Sequence, residues 1–164
     1  MIRRSLVVID VQKGFINEFT RHVPAAVEHL AAGYDSVVVT RFYNAEASFH
    51  RKLIGWHRMA RESDGFALAF TPPVGAPVFD KAGYGAFTAP AFRDWLDGEA
   101  PDEVHLAGIA TDNCVLKTAV DLFEAGIVPV VLAHACASHG GPECHDCGLR
   151  LLRRFIGAGQ VIAA

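Results

Sequence analysis

Short apolar runs recur along the chain at residues 6–9, 37–39, 78–79, 104–107, 128–132 and 161–162, separated by longer stretches of mixed polarity. The runs are rich in Val and Ile and apolar at successive positions, the pattern of strands covered on both faces. Between them, residues 23–32, 90–96, 112–124 and 143–155 carry apolar residues at helical spacing. Such alternation predicts an α/β fold: one doubly wound domain over residues 1–164, with a mostly parallel sheet of five to six strands and helices on both faces. The stretch 44–77 reads less regularly. A helix is expected over 47–59, then a loop at "FTPPVGAP".

In an open α/β sheet, ligands bind beyond the carboxyl ends of the strands, so polar residues that follow an apolar run are candidates for a site. Asp10 ends "SLVVID", Lys81 ends "PVFDK", and Cys114 follows "VHLAGIATDN". A base, a cation and a nucleophile would thus come from separate segments to one edge of the sheet. Each alone has a plain structural reading, as a turn cap, a surface lysine and a buried thiol. Together they favour chemistry.

The position of Cys114 sharpens this. Thr111 or Asp112 is suited to cap a helix, and Val115, Ala119, Leu122 and Phe123 follow as its core face. Cys114 then sits in the first turn, where free amides and the helix dipole favour an anion, and Lys81 would lower the thiol pKa further. Attack by the thiolate on a carbonyl or amidine carbon, with Asp10 accepting and returning a proton, is the chemistry such a trio supports.

The segments "LVVIDVQKGFIN", "DKAGYGAF" and "GIATDNCVLKTAVDLFEAGIVPVVLAHACAS" resemble the signature regions of the isochorismatase-like cysteine hydrolases, a group that includes nicotinamidases, N-carbamoylsarcosine amidohydrolases, ureidoacrylate amidohydrolases and isochorismatases. The resemblance implies a catalytic Asp, Lys and Cys at Asp10, Lys81 and Cys114. It also implies a non-proline cis peptide between Ile109 and Ala110, an oxyanion hole built from the Ala110 and Cys114 amides, and dimers or larger homo-oligomers. Nicotinamidases carry an Asp-x-His pair and further histidines after the second strand, where they hold a divalent metal. Here Arg41, Phe42, Tyr43 and Asn44 stand at that point, with His50 and His57 nearby. No metal and no cofactor are therefore expected, and nicotinamide is disfavoured as substrate. Isochorismatases can lack the cysteine, so its presence points to a carbon–nitrogen bond in a small amide, carbamoyl or ureido compound. A catalytically idle ligand-binding or thiol-sensing domain, an ether-cleaving isochorismatase and a metal-dependent hydrolase are the competing readings.

Substrate contacts are expected from Gln12, Phe15, Phe42, Tyr84, Phe87 and Ile109, with Trp56 as a further wall and Asn17 beside Asp10. The pair Cys144 and Cys147 has metal or redox spacing but opens a helix whose Leu149, Leu152 and Phe155 should face the core, so both are read with Cys136 as packing thiols. With 15 basic against 18 acidic residues and no charged block, nucleic acid is not an expected partner; the partner is a small-molecule substrate. The N-terminal run stops at Asp10, too short for a signal peptide or a spanning helix, and the reduced cysteines fit a cytoplasmic protein with no membrane association.

Overall fold

The structure, a computed structural model, describes residues 2–163. Six parallel strands form one sheet in the order β3-β2-β1-β4-β5-β6. They are β1 (Arg4–Ile9), β2 (Ser36–Phe42), β3 (Val78–Lys81), β4 (Glu103–Ile109), β5 (Val128–Ala137) and β6 (Val161–Ile162). Each apolar run of the sequence lies within one of them. The chain winds outward from β1 through β2 to β3 and then crosses back to place β4 on the other side of β1. That reversal creates the crevice in which doubly wound folds bind ligands.

Helices cover both faces. Against one face α1 (Val23–Ala31) buries Val23, Val27 and Ala31 on Leu6, Val8, Val37 and Val39. Against the other, α3 (Pro90–Glu99), α4 (Leu116–Glu124) and α5 (Pro142–Ile156) pack Phe92, Leu96, Ala119, Leu122, Leu152 and Ile156 on Val7, Ile9, Val104 and Leu106. The alternating sides of β1 therefore feed two separate cores, as the period of a strand requires.

Three sequence expectations need correction. The helix expected over 47–59 is only α2 (Phe49–Lys52). Beyond it the buried Asn44 side chain donates to the carbonyls of Trp56 at 2.7 Å and Arg58 at 3.0 Å, which holds that backbone open as a loop. Phe123 and Phe155 are 54% and 52% exposed; α5 instead buries Gly148, Leu152 and Ile156, with Leu149 packed half-buried against the same core. The packing reading fits Cys136 alone among the C-terminal thiols, since Cys144 is half-buried and Cys147 exposed. Among the described residues no helix is long and apolar enough to cross a membrane.

Candidate active site

Three strand ends deliver the expected trio to one edge of the sheet. Asp10 directly follows β1, Lys81 ends β3, and Cys114 lies five residues beyond the end of β4. Neighbouring strands are about 4.8 Å apart, so Lys81 starts about 10 Å from β1, with β2 between. Its long side chain covers that distance: Nζ lies 2.7 Å from Asp10 Oδ2, and both side chains are fully buried. Lys81 also donates to the carbonyls of Gly83 and Tyr84, each at 2.9 Å, and sits 5.4 Å from the centre of the Phe42 ring. The intervening strand contributes as well, for Thr40 on β2 donates its hydroxyl to Asp10 Oδ1 at 2.7 Å. Asp10 is thereby fixed in position with one oxygen on a hydroxyl and the other on an ammonium.

Gly108 lets β1 and β4 approach just before these residues. It pairs with Ile9 at φ +130°, and a Cβ there would lie 2.1 Å from the Ile9 carbonyl oxygen. Past it the Ile109–Ala110 peptide is cis. Residues Thr111–Val115 then make a π-helical turn that leads into α4. The N-cap is Ala110, in place of the expected Thr111 or Asp112, and no side chain caps the turn. Thr111 is engaged elsewhere, its hydroxyl 2.7 Å from His145 Nδ1 on α5. The same helix braces the turn through Gly148, where a Cβ would stand 2.7 Å from the Asp112 nitrogen. Cys114 is thus held in the opening turn of the helical segment by packing from behind.

Burial favours the neutral form of the Cys114 thiol. Burial pushes the Cys114 pKa up to about 12; the Lys81 charge pulls it down, and the Asp10 carboxylate pushes it up again. Cys136 is driven up to about 12 by burial as well. Desolvation thus opposes the thiolate that the helical turn and Lys81 favour, and the ammonium is at the same time paired with Asp10. For Lys81 burial acts downward, but the Asp10 carboxylate and the neighbouring Cys114 sulfur more than offset it and the pKa is raised.

Above the trio opens a cavity of about 300 Å³. Phe15, Phe42, Tyr84, Ile109, Ala110 and Cys114 line it as expected, and so does Trp56. Phe15 and Trp56 stack at 5.9 Å with 16° between their planes, and Phe42 and Trp56 stand at 5.8 Å and 27°. Two of the expected substrate contacts do not reach it. Gln12 is buried and donates to the carbonyls of Phe42 and Phe66 at 3.0 and 2.9 Å while accepting from Phe42 N–H at 2.8 Å, so it ties its own segment to the end of β2 and to the turn at Phe66. Phe87 turns away to pack on Phe92 at 5.6 Å. Asn17 is likewise structural, donating to the His139 carbonyl at 2.9 Å. Sequence reasoning missed Asn113, His50 and His139 as lining residues. His139 follows the apolar end of β5, so the strand-end rule that found the trio would have found it too.

The residues where nicotinamidases hold a metal do not suit one here. Phe42 presents a ring, the Asn44 amide is bonded to backbone carbonyls, His57 is exposed, and among the described residues no carboxylate joins His50 on the cavity wall. No group of three or more His, Cys, Asp or Glu side chains among the described residues is placed to hold an ion.

Residues 4–162 match the Isochorismatase domain family. An uncharacterized isochorismatase family protein of Bacillus subtilis (strain 168) is 39% identical over 79 residues, a match covering 48% of this chain and 43% of that protein. The nicotinamidase of Acinetobacter baylyi is 25% identical over 173 residues, covering 80% of each. A nicotinamidase/pyrazinamidase structure from Bacillus subtilis superposes with a TM-score of 0.84 at 26% identity, covering 99% of this chain and 100% of that one.

Proposed function

The chain belongs to the isochorismatase family, and on that premise we propose that it is a hydrolase that cleaves the carbon–nitrogen bond of a small amide, carbamoyl or ureido substrate through a thioester on Cys114. The observation that carries this reading is the buried Asp10–Lys81 pair set against the thiol that lines the cavity. The nicotinamidase names among its relatives support an amide as the substrate.

A thiol with its pKa near 12 needs a base at the moment of attack, and Asp10 stands beside it. The thiol proton passes to Asp10 as the sulfur–carbon bond forms, and the carbonyl oxygen takes up the charge between the Ala110 and Cys114 amides. Lys81 holds the negative charge shared by carboxylate and sulfur. The carbon–nitrogen bond then breaks as Asp10 returns the proton to the departing nitrogen. Water adds to the thioester and gives a proton to Asp10, the carbon–sulfur bond breaks, and the sulfur recovers its proton as the acid leaves.

A screen of primary amides and ureides for release of ammonia or amine tests the proposal. The wild type is expected to turn over at least one compound that Cys114→Ala leaves intact, and Asp10→Asn is expected to lose about 100-fold or more in kcat, the contribution of a general base. A Cys114→Ala protein that keeps full activity on the compound would overturn it.

A further inference from the structure

Two of the four thiols serve neither the trio nor a core. Burial pushes Cys114 and Cys136 up to about 12, which disfavours their reaction with an oxidant. Cys147 is exposed on α5, and Cys144, three residues before it in the opening turns of that helix, is half-buried. Their spacing, Cys-x-x-Cys, meets no third ligand among the described residues that would complete a metal site. What remains open to such a pair is the bond between its own sulfurs.

Helix geometry brings the two close to bonding distance. At positions i and i+3 of an α-helix the Cβ atoms are about 5–6 Å apart, and a disulfide needs about 3.5–4.5 Å. A tighter 3-10 turn, in which i and i+3 eclipse, closes that gap. The change falls on the opening of α5, where the His145 N–H donates to the Gly141 carbonyl at 3.1 Å. The chain enters there through Gly140 and Gly141, the second at φ +101°, and the Cys144 sulfur lies against the first, where a Cβ would stand 2.9 Å from Sγ.

The residue between the cysteines gives closure a consequence. His145 Nδ1 is 2.7 Å from the Thr111 hydroxyl, and Gly148, directly after Cys147, abuts the Asp112 nitrogen. Both contacts brace the turn Thr111–Val115 that carries Cys114. Within that turn the Asn113 and Val115 amides donate to the Ala110 carbonyl, each at 3.1 Å. Tightening α5 between residues 144 and 147 moves His145 and so draws it off Thr111.

We propose that Cys144 and Cys147 form a thiol–disulfide exchange site for small soluble disulfides, and that its closure slackens, through His145, the turn that holds Cys114. With glutathione disulfide, the exposed Cys147 sulfur attacks one glutathione sulfur and expels the other glutathione. Cys144 then attacks the Cys147 sulfur and expels the second. Each protein thiol gives its proton to a departing glutathione, so two protein thiols are oxidised and one glutathione disulfide is reduced. A dithiol reductant reverses both steps. The exchange site stands apart from the reading of Cys114 as nucleophile; its effect on turnover rests on that reading.

Incubating the full chain with oxidised glutathione, quenching in acid and cleaving after glutamate tests the pair. No glutamate follows Glu143, so residues 144–164 leave as one fragment that holds Cys144 and Cys147 and neither Cys114 nor Cys136. That fragment should be lighter by two hydrogens, and dithiothreitol should restore its mass. In the oxidised protein the Asn113 and Val115 amides should exchange with deuterium faster than in the reduced one. An amide that the reduced protein hydrolyses should turn over about 5-fold more slowly after oxidation, the worth of one hydrogen bond. Cys147→Ser should keep its rate in the same buffer. His145→Ala lacks the link to Thr111, so oxidation should slow it far less than wild type. A fragment that keeps both thiols, or that carries glutathione with no internal bond, overturns the exchange site. A closed pair with unchanged exchange at residues 111–115, or an equal fall in rate in His145→Ala, overturns the coupling. If the reduced protein hydrolyses no amide, the hydrolase reading fails, and fragment mass and hydrogen exchange still decide this one.

Discussion

Replacing Lys81 by Met keeps most of the side-chain stem and removes the ammonium, so it asks how much the buried pair contributes. In the native protein Asp10 faces Nζ at 2.7 Å with no exposure on either side. Removing one partner of such a pair leaves a charge that neither water nor protein neutralises, at a cost of about 3–5 kcal/mol. For a domain of this size each kcal/mol lowers Tm by about 2–4 °C, so Lys81→Met should melt roughly 6–20 °C below wild type at pH 7. Asp10→Asn should fall in the same range, because it strands the ammonium instead. The double variant has no charge to strand. It loses the two bonds from Nζ to the Gly83 and Tyr84 carbonyls, about 1 kcal/mol each, and keeps an amide next to the Thr40 hydroxyl. Urea unfolding of the four proteins should therefore give a coupling energy of at least about 2 kcal/mol, with the double variant more stable than either single one. Single effects that add to within about 0.5 kcal/mol would show that the two groups are solvated independently and that the site is not the dry, paired arrangement described above.

Glycines give a second contrast. Gly108→Ala would drive a methyl into the Ile9 carbonyl and should cost about 3 kcal/mol or more, whereas Gly98→Ala in α3, with open space around it, should stabilise by about 0.5–1 kcal/mol in chemical denaturation. Histidines give a third. His50, His139 and His145 have folded-state pKa values below the ordinary 6.5, chiefly through burial. As pH falls below 6.5 the unfolded chain takes up protons that the folded chain refuses, so Tm should drop from pH 7.5 to pH 5, and His139→Gln should flatten that slope. A melting temperature that rises on acidification through this window would contradict the assignment.

The sheet was legible because each strand is a short β-branched run and each bridging helix has a face at its own period. The same logic brought Asp10, Lys81 and Cys114 to one edge, since residues after parallel strands share an end of the sheet whatever the side chains. What could not be read depends on partners distant in the chain. Phe49, Leu53 and Trp56 have the spacing of a helix face, yet Phe49 and Leu53 are 71% and 77% exposed, and Asn44 recruits the carbonyls that a helix would have used. Gln12 sits beside Asp10 in sequence, but its bonds reach residues 42 and 66, which turns a plausible substrate contact into a structural tie. The balance of effects on the thiol is hidden for a related reason. Helix position and a neighbouring lysine are visible in sequence, while the desolvation that opposes them follows from α5 and the sheet closing around Cys114.

The central claim is that a carbon–nitrogen bond is cleaved through sulfur, and trapping that bond tests it most directly. Wild-type protein mixed with a turned-over amide and quenched in acid within the first turnover should gain the mass of the acyl group. Peptide mapping should place it on Cys114 and on none of Cys136, Cys144 and Cys147, and hydroxylamine should release it as the hydroxamate. Asp10→Asn should accumulate little or none. Steady turnover with no adduct at any quench time, and with hydroxylamine unable to divert product, would mean that water attacks the substrate directly and that Cys114 is not the nucleophile.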